Sequence, residues 1–401
     1  MSVSADYLPP PRRFRWVERV LKENWRDGAL TFVLPGGREV KFSGVKAGPA
    51  ARMIVRDYHF LDRVFSRGLL GFGEGYMAGE WDSPDISALL LAFSRNLDRL
   101  DEVIRGNTMM RWMVTGWHKL HPNTRAGAKR NIEAHYDLGN DFYGLWLDPS
   151  MTYSSARYEN GAVGLVEAQT QKYASLSRLL ALKAGDQVLE IGCGWGGFAE
   201  HVARDVGADI TGITLSPSQL EYAQARIARE GLPDQARFEL TDYRDMTGQF
   251  DAIASIEMFE AVGEAWWPTY FAKVHDLLKP GGLAGLQIIT IRDNIFEDYK
   301  RKADFIQRYI FPGGMLPPVE RLKSEIAAAG LVLETVEFFS DDYGRTLLEW
   351  RRRFEAQEDE IRALGFDERF MRMWRFYLAY CEAGFRTRRT EVGQWIVRKP
   401  A

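Results

Sequence analysis

Cysteine is scarce in this chain, with two among 401 residues, Cys193 and Cys381, far apart in sequence. That spacing argues against a disulfide framework and suits a reducing compartment. The six histidines are scattered too. With the cysteines dispersed they offer no metal-ligand spacing, so no zinc or iron chemistry is expected. No apolar run reaches the ~18 residues that a membrane span needs. Residues 1–30 mix Pro, Arg, Trp and Glu without the apolar core of a secretory leader. The net charge is only −3, so no global field draws the chain to nucleic acid. These absences point to a cytoplasmic protein whose contact with any membrane is peripheral. What is present is ordinary for a folded protein. Hydrophobic residues make up 46% and charged residues 27%, and the length suits one large domain with a smaller companion.

The most informative stretch is residues 188–197. Val188 to Ile191 read as a short buried strand. Gly192, Gly194, Gly196 and Gly197 then permit a sharp turn and close approach of a ligand to the backbone, and residues 198–203 open a helix. Gly192, Gly194 and Gly197 satisfy the dinucleotide pattern G-x-G-x-x-G. Glu190 favours S-adenosylmethionine (SAM) over a nicotinamide. An acid at the strand end can accept hydrogen bonds from a ligand's amino group, whereas a pyrophosphate gains nothing from it. A dinucleotide site also wants an acid ~20 residues on, at the end of the second strand. The segment 209–215 has none at its far end.

The rest of the chain fits an α/β protein, a doubly wound SAM-methyltransferase (Rossmann-like) sheet of seven strands plus a smaller N-terminal α+β domain. Strands are expected at 187–191, 209–215, 236–241, 250–256, 282–291, 331–339 and 392–398, with a helical insertion over 346–385. A helix over 216–230 opens with Ser216 as N-cap, Pro217 at the first position and Gln219 at the third, a capping-box pattern. Residues 1–118 form an accessory domain, with strands at 29–33 and 39–42 and helices at 54–66 and 85–93. Residues 119–130 read as a linker, and 131–401 as the catalytic domain. Basic clusters at Arg12, Arg13, Arg15 and Arg19, at Arg351–Arg353, and at Arg386, Arg388, Arg389, Arg398 and Lys399 fit either solvated helix faces or contact with anionic headgroups.

Several motifs in one order carry a resemblance. They are residues 135–143 (with Tyr136 and Tyr143), 151–156 (with Tyr153, Ser154 and Ser155), the glycine turn, 212–219, 242–245, 257–263, 309–317, and Tyr343. Together they resemble the cyclopropane-fatty-acid synthase family of SAM-dependent lipid methyltransferases, which includes the mycolic-acid modifying enzymes. The resemblance implies attack of a cis double bond, in an acyl chain of a membrane phospholipid, on the methyl group of SAM. A carbocation forms, and proton loss closes a cyclopropane ring. Some relatives lose the proton elsewhere and leave a methyl-branched or methylene chain. The resemblance also implies a bicarbonate ion as base, a homodimer, and a membrane surface as the place of work.

It assigns residues as well. Tyr136, Tyr153, Ser154, Glu190, Gly192, Gly194, Gly196, Thr214, Gln219 and Asp242 would hold SAM, with Asp242 toward the adenine and Thr214 and Gln219 toward the ribose. Glu260 would orient the bicarbonate, the Ser155 backbone amide would bond it, and Gln287, Ile289 and Tyr343 would complete the shell. Glu257, three residues before Glu260, stays between a structural and a functional role. Tyr136, Tyr143, Tyr153, Phe259, Tyr309 and Tyr343 are candidates to face a cation, and motif position singles out Tyr153 and Tyr343 from core aromatics. Three departures bear on the product. Ser155 stands where the better-known synthases have cysteine, Gln287 where they have histidine, and Ala261 where the family pairs a histidine with the glutamate at 260. Glutamine cannot titrate. A small-molecule methyltransferase, a non-catalytic lipid-binding relative and a dehydrogenase are the rival readings.

Overall fold

The computed structural model describes residues 10–106, 138–159, 161 and 164–401. The expected linker 119–130 and Tyr136 lie outside the described residues. The chain forms two compact units. One takes the described part of Met1–Tyr136 together with Ala303–Ile310 and Ile361–Thr387; the other takes Asp137–Lys302, Phe311–Glu360 and Arg388–Ala401.

The first unit is built on a four-stranded sheet of β1 (Asp27–Val33), β2 (Glu39–Ser43), β3 (Lys46–Val55) and β4 (Trp81–Asp82), in the order β2-β1-β3-β4. Strand β3 went unpredicted because Gly48 and Pro49 interrupt its pattern. The β1–β3 register shifts just there, between Asp27 and Ala29, and such an irregularity tolerates a proline. The helix expected over 54–66 is accordingly shorter, His59–Arg67.

A second helix, Leu69–Met77, contains three glycines despite their poor helix propensity. Packing explains all three: a Cβ on Gly71 would collide with the Arg63 carbonyl, and one on Gly75 would lie 2.9 Å from the Phe60 Cβ. A Cβ on Gly73 would come within 2.5 Å of the Phe305 ring and 2.9 Å of Phe376. The buried Asn96 amide ties the helix Ile86–Gly106 to β1, accepting from the Arg26 and Asp27 amides and donating to the Asp27 carbonyl.

The second unit holds the seven-stranded sheet. Its strands are β5 (Gln187–Ile191), β6 (Asp209–Thr214), β7 (Ala236–Leu240), β8 (Phe250–Ile256), β9 (Leu278–Ile291), β10 (Val332–Phe338) and β11 (Thr390–Arg398). They run β10-β11-β9-β8-β5-β6-β7, parallel except that β11 is antiparallel to both neighbours. From β5 the chain winds to β6 and β7 on one side and to β8 and β9 on the other. The crevice at the carboxyl ends of β5 and β8 is therefore the switch point where such sheets bind ligands.

Helices cover both faces. Trp267–Leu277 and Val319–Ala328 bury Trp267, Tyr270, Phe271, Leu322 and Ile326 against one face. Leu165–Leu179 and Pro217–Arg229 bury Tyr173, Leu176, Ala223 and Ile227 against the other. Strand β9 starts four residues earlier than expected, at Leu278 rather than 282.

Candidate active site

At the first edge of the crevice, Glu190 is 2% exposed. One of its carboxylate oxygens is buried without a hydrogen-bond partner. Burial holds its pKa well above the usual carboxylate range, and Lys172 opposes that shift. The glycine turn follows with φ of 84°, 51° and 81° at Gly192, Gly194 and Gly196, a backbone that side chains rarely adopt. Gly194 faces open space, whereas a Cβ on Gly192 would meet Met258 at 2.7 Å. Trp195 donates its indole N–H to Asn140 at 2.7 Å, so the described half of the 135–143 motif props the turn.

Ser216 caps its helix as expected, accepting from the Gln219 amide at 3.3 Å. The Gln219 side chain does not close the box, because its oxygen accepts instead from the Thr214 hydroxyl at 2.9 Å. Asp242 is gripped by Arg244, whose Nε and Nη2 donate to its two oxygens at 2.9 and 2.6 Å. That grip holds its pKa below the ordinary value. The same Arg244 guanidinium lies 5.2 Å over the half-exposed Trp266 ring, and Leu215, just past β6, is exposed. A buried carboxylate with an unmatched oxygen, an open glycine turn and the exposed Leu215 and half-exposed Trp266 fit a ligand with an amino group and a flat heterocycle, as in SAM.

Tyr153 sits in an aromatic wall, with ring centroids 5.2 Å from Tyr143, 5.6 Å from Trp146 and 5.3 Å from Trp350. Tyr343 meets Trp350 edge-on at 6.1 Å. Phe259 is instead a core residue stacked on Trp267. Tyr309 belongs to the first unit, where its hydroxyl donates to Glu74 at 2.8 Å. Ser154 accepts from the fully buried Lys172 at 2.6 Å. Burial pushes the Lys172 ammonium down to about 7, while the charges of Glu257, Asp148 and Glu190 pull it back up.

The second edge of the crevice is the most tightly built part of the site. Glu257, just beyond β8, has φ of 50°, and its amide donates to the Gln287 carbonyl at 2.8 Å. Its carboxylate receives three donors, the Ser155 amide at 2.8 Å, the Gln287 side-chain amide at 2.8 Å and the Tyr343 hydroxyl at 2.6 Å. Gln287 is itself held by Gln394, which donates to it at 3.2 Å and accepts from Arg157 at 2.9 Å. Glu260 is served more sparsely. One oxygen accepts from the Ile289 amide at 2.6 Å, and the other is buried without a partner. Burial, and then the charge of Glu257, push the Glu260 carboxyl up to about 8. Burial also raises Glu257, against the pull of its three donors. The three donors favour the charged form of Glu257, whereas a single amide supports the charge on Glu260.

Residues 123–395 match the family described as mycolic acid cyclopropane synthetase. The chain belongs to this family. It is 39% identical over 344 residues to tuberculostearic acid methyltransferase UfaA1 of Mycobacterium tuberculosis, covering 84% of this chain and 80% of that one. It is 36% identical over 358 residues to the cyclopropane-fatty-acyl-phospholipid synthase of Escherichia coli, covering 88% and 89%. Among solved structures, mycolic acid cyclopropane synthase CmaA1 complexed with SAH and CTAB superposes with a TM-score of 0.62 at 30% identity, over 67% of this chain and 98% of that one. The chain is thus a SAM-dependent methyltransferase of the lipid-modifying kind.

Within this family member, Ser155, Gln287, Tyr343, Glu260 and Ile289 converge, but the hub is Glu257. A bicarbonate ion does not fit the same place, because the Ser155 amide, Gln287 and Tyr343 already converge on the Glu257 carboxylate. Sequence reading left Glu257 undecided and missed Lys172, Gln394 and Arg157. The available signals were a lysine inside the apolar face of 165–179 and an acid directly at the end of a strand. Part of the basic clusters is matched by acids. Arg351, Arg353, Arg386, Arg388 and Arg398 pair with Glu355, Glu349, Glu382, Asp341 and Glu334. Among the described residues no helix is long and apolar enough to cross a membrane.

Proposed function

We propose that this chain transfers the methyl group of SAM to a cis double bond in an unsaturated acyl chain of a membrane phospholipid and leaves a cyclopropane ring. The observation that carries this reading is the pairing, at one switch point, of an open carboxylate and glycine turn with a donor-saturated carboxylate. SAM, when bound, supplies the electrophilic methyl. Glu190 and the glycine turn hold and orient it, which matters because an alkene is a weak nucleophile and needs close alignment. Tyr143, Tyr153, Trp350 and Tyr343 exclude water, which would trap a carbocation, and present ring faces to it. The charge retained at Glu257 stabilises the positive centre. The phospholipid substrate is supported by the name of the Escherichia coli relative.

A second reading is an open-chain methylene or methyl-branched product. It is favoured by Gln287, which cannot titrate, and by the 39% identity to a tuberculostearic acid methyltransferase. Mass spectrometry of total fatty acids from cells expressing the chain, beside an empty control, tests both. A gain of one methylene unit in unsaturated chains is expected, and fragmentation separates ring from branch. Unaltered fatty acids would refute the function. Purified enzyme should act on monounsaturated phospholipid vesicles, and activity on free fatty acid alone would refute the phospholipid assignment.

A further inference from the structure

We propose that Glu257 fills the anion position of this active site with its own carboxylate and takes the proton from the cationic acyl chain, so that turnover needs no free bicarbonate. The inference rests on the lipid methyl-transfer reading above and adds the identity of the base.

Three observations carry it. First, the donors come from three separate elements. The Ser155 amide belongs to the loop after the helix Gly139–Trp146, Gln287 to β9, and Tyr343 to the helix Ser340–Ala356. Donors converging from three directions form an anion site, and here the anion is covalently attached. Second, those donors are held from behind. Gln394 donates to the Gln287 oxygen and to the Lys172 carbonyl, and its own oxygen takes Arg157 and Ser175. With its oxygen so engaged, the Gln287 amide turns its NH2 toward Glu257. Third, Glu257 reaches this place only through a left-handed backbone, φ 50°, anchored by its amide on the Gln287 carbonyl. A non-glycine residue in that conformation is strained and persists where its surroundings enforce it. The groups facing it include the Lys172 ammonium and the Glu260 carboxyl.

The steps balance. The alkene electron pair forms the bond to the methyl carbon as the sulfur–carbon bond breaks, its pair staying on sulfur. For the ring, a C–H bond of the transferred methyl then breaks and its electron pair bonds to the cationic carbon across the three-membered ring. In the open-chain case a hydride first shifts so that the cation stands on the methyl-bearing carbon, a methyl C–H bond breaks, and its electron pair forms the double bond. Either way the proton passes to a Glu257 oxygen. Solvent later takes that proton. A tethered carboxylate cannot relocate as a free ion can, so the backbone at Glu257 decides which C–H it reaches.

The test uses the purified full chain in carbon-dioxide-free buffer, with two readouts. In the first, 13C-labelled bicarbonate is titrated and followed by NMR. Wild type is expected not to bind it, and Glu257→Gly is expected to bind it in the vacated position. Glycine suits the left-handed backbone, and a retained melting temperature confirms the fold. In the second, SAM turnover on monounsaturated phospholipid vesicles is compared with and without bicarbonate. Wild type should be indifferent. Glu257→Gly should lose roughly 10²-fold and recover about tenfold with added bicarbonate or formate. Glu257→Gln should lose as much without recovering, since its side chain still fills the place. Stoichiometric bicarbonate binding by wild type, or wild-type turnover that collapses without bicarbonate, overturns the proposal. If wild type methylates no lipid at all, the function fails. The binding contrast between wild type and Glu257→Gly would still decide who owns the anion position.

Discussion

Glu190 and Glu257 stand at the carboxyl ends of adjacent parallel strands, β5 and β8, and the protein treats them in opposite ways. Both carboxyls are shifted upward by burial, and the buried Lys172 ammonium pulls each the other way. Glu190 keeps an oxygen with no protein partner, whereas Glu257 takes three donors from the protein itself. A buried polar atom left unmatched costs about 1–3 kcal/mol, and a ligand donor can recover that cost. The contrast shows how one crevice separates its tasks. In the proposed reading the carboxylate with an unmatched oxygen is the one that takes the ligand, and the donor-held one is the base. Glu260 falls between them, with one donor and one unmatched oxygen.

The comparison breaks most visibly at Glu257. Glu257→Gln keeps the shape, removes the charge and turns an amide toward groups that donate. Turnover should fall by roughly 10² to 10³, or about 3–4 kcal/mol in the barrier, measured as SAH release on lipid vesicles. Tyr343→Phe deletes one of the three donors and leaves the rings in place. It should lose about 1.5–3 kcal/mol, some ten- to hundredfold in kcat. An unchanged kcat would mean that the hydroxyl does not support the carboxylate.

The smallest catalytic effect is expected at Glu260. Near neutrality it is protonated, and glutamine still offers an acceptor to the Ile289 amide, so Glu260→Gln should lose less than about tenfold at pH 7. Stability carries its signature more clearly. Its folded pKa, about 8, lies above the ordinary 4.5. The folded state therefore binds the proton more tightly, and this contribution is complete below 4.5 and is lost as pH rises to 8. Urea midpoints of wild type should decline over that window relative to Glu260→Gln. Parallel pH curves would remove the basis for a protonated Glu260.

What could be read from the residues alone was local. The strand, glycine turn and helix at 188–203 and the Ser216 cap rest on contacts a few residues apart, and alternation of strands with helices implies a mostly parallel sheet. Strand β3 was hidden by Gly48 and Pro49, and its place became evident only from the β1 register. Gly73 makes sense only beside Phe305 and Phe376, more than two hundred residues away. The same holds at the site. Glu190 was legible from its place before a glycine turn. Glu257 was not, because its donors come from residues 155, 287 and 343, and no spacing along the chain announces that meeting. Lys172, Gln394 and Arg157 were invisible for the same reason, and Gln219 left its capping box for Thr214, a partner found only in three dimensions.

The contrast between the two glutamates is tested most directly by SAM binding, measured by calorimetry on wild type, Glu190→Ala and Glu257→Gln, each with its urea midpoint. Glu190→Ala should lose about 1.5–3 kcal/mol of affinity, roughly ten- to hundredfold in Kd, with no loss of stability. Glu257→Gln should bind SAM as wild type does while failing to turn it over. Equal affinity in Glu190→Ala, or a matching loss in Glu257→Gln, would contradict the division of the crevice into a ligand-holding carboxylate and a self-satisfied one.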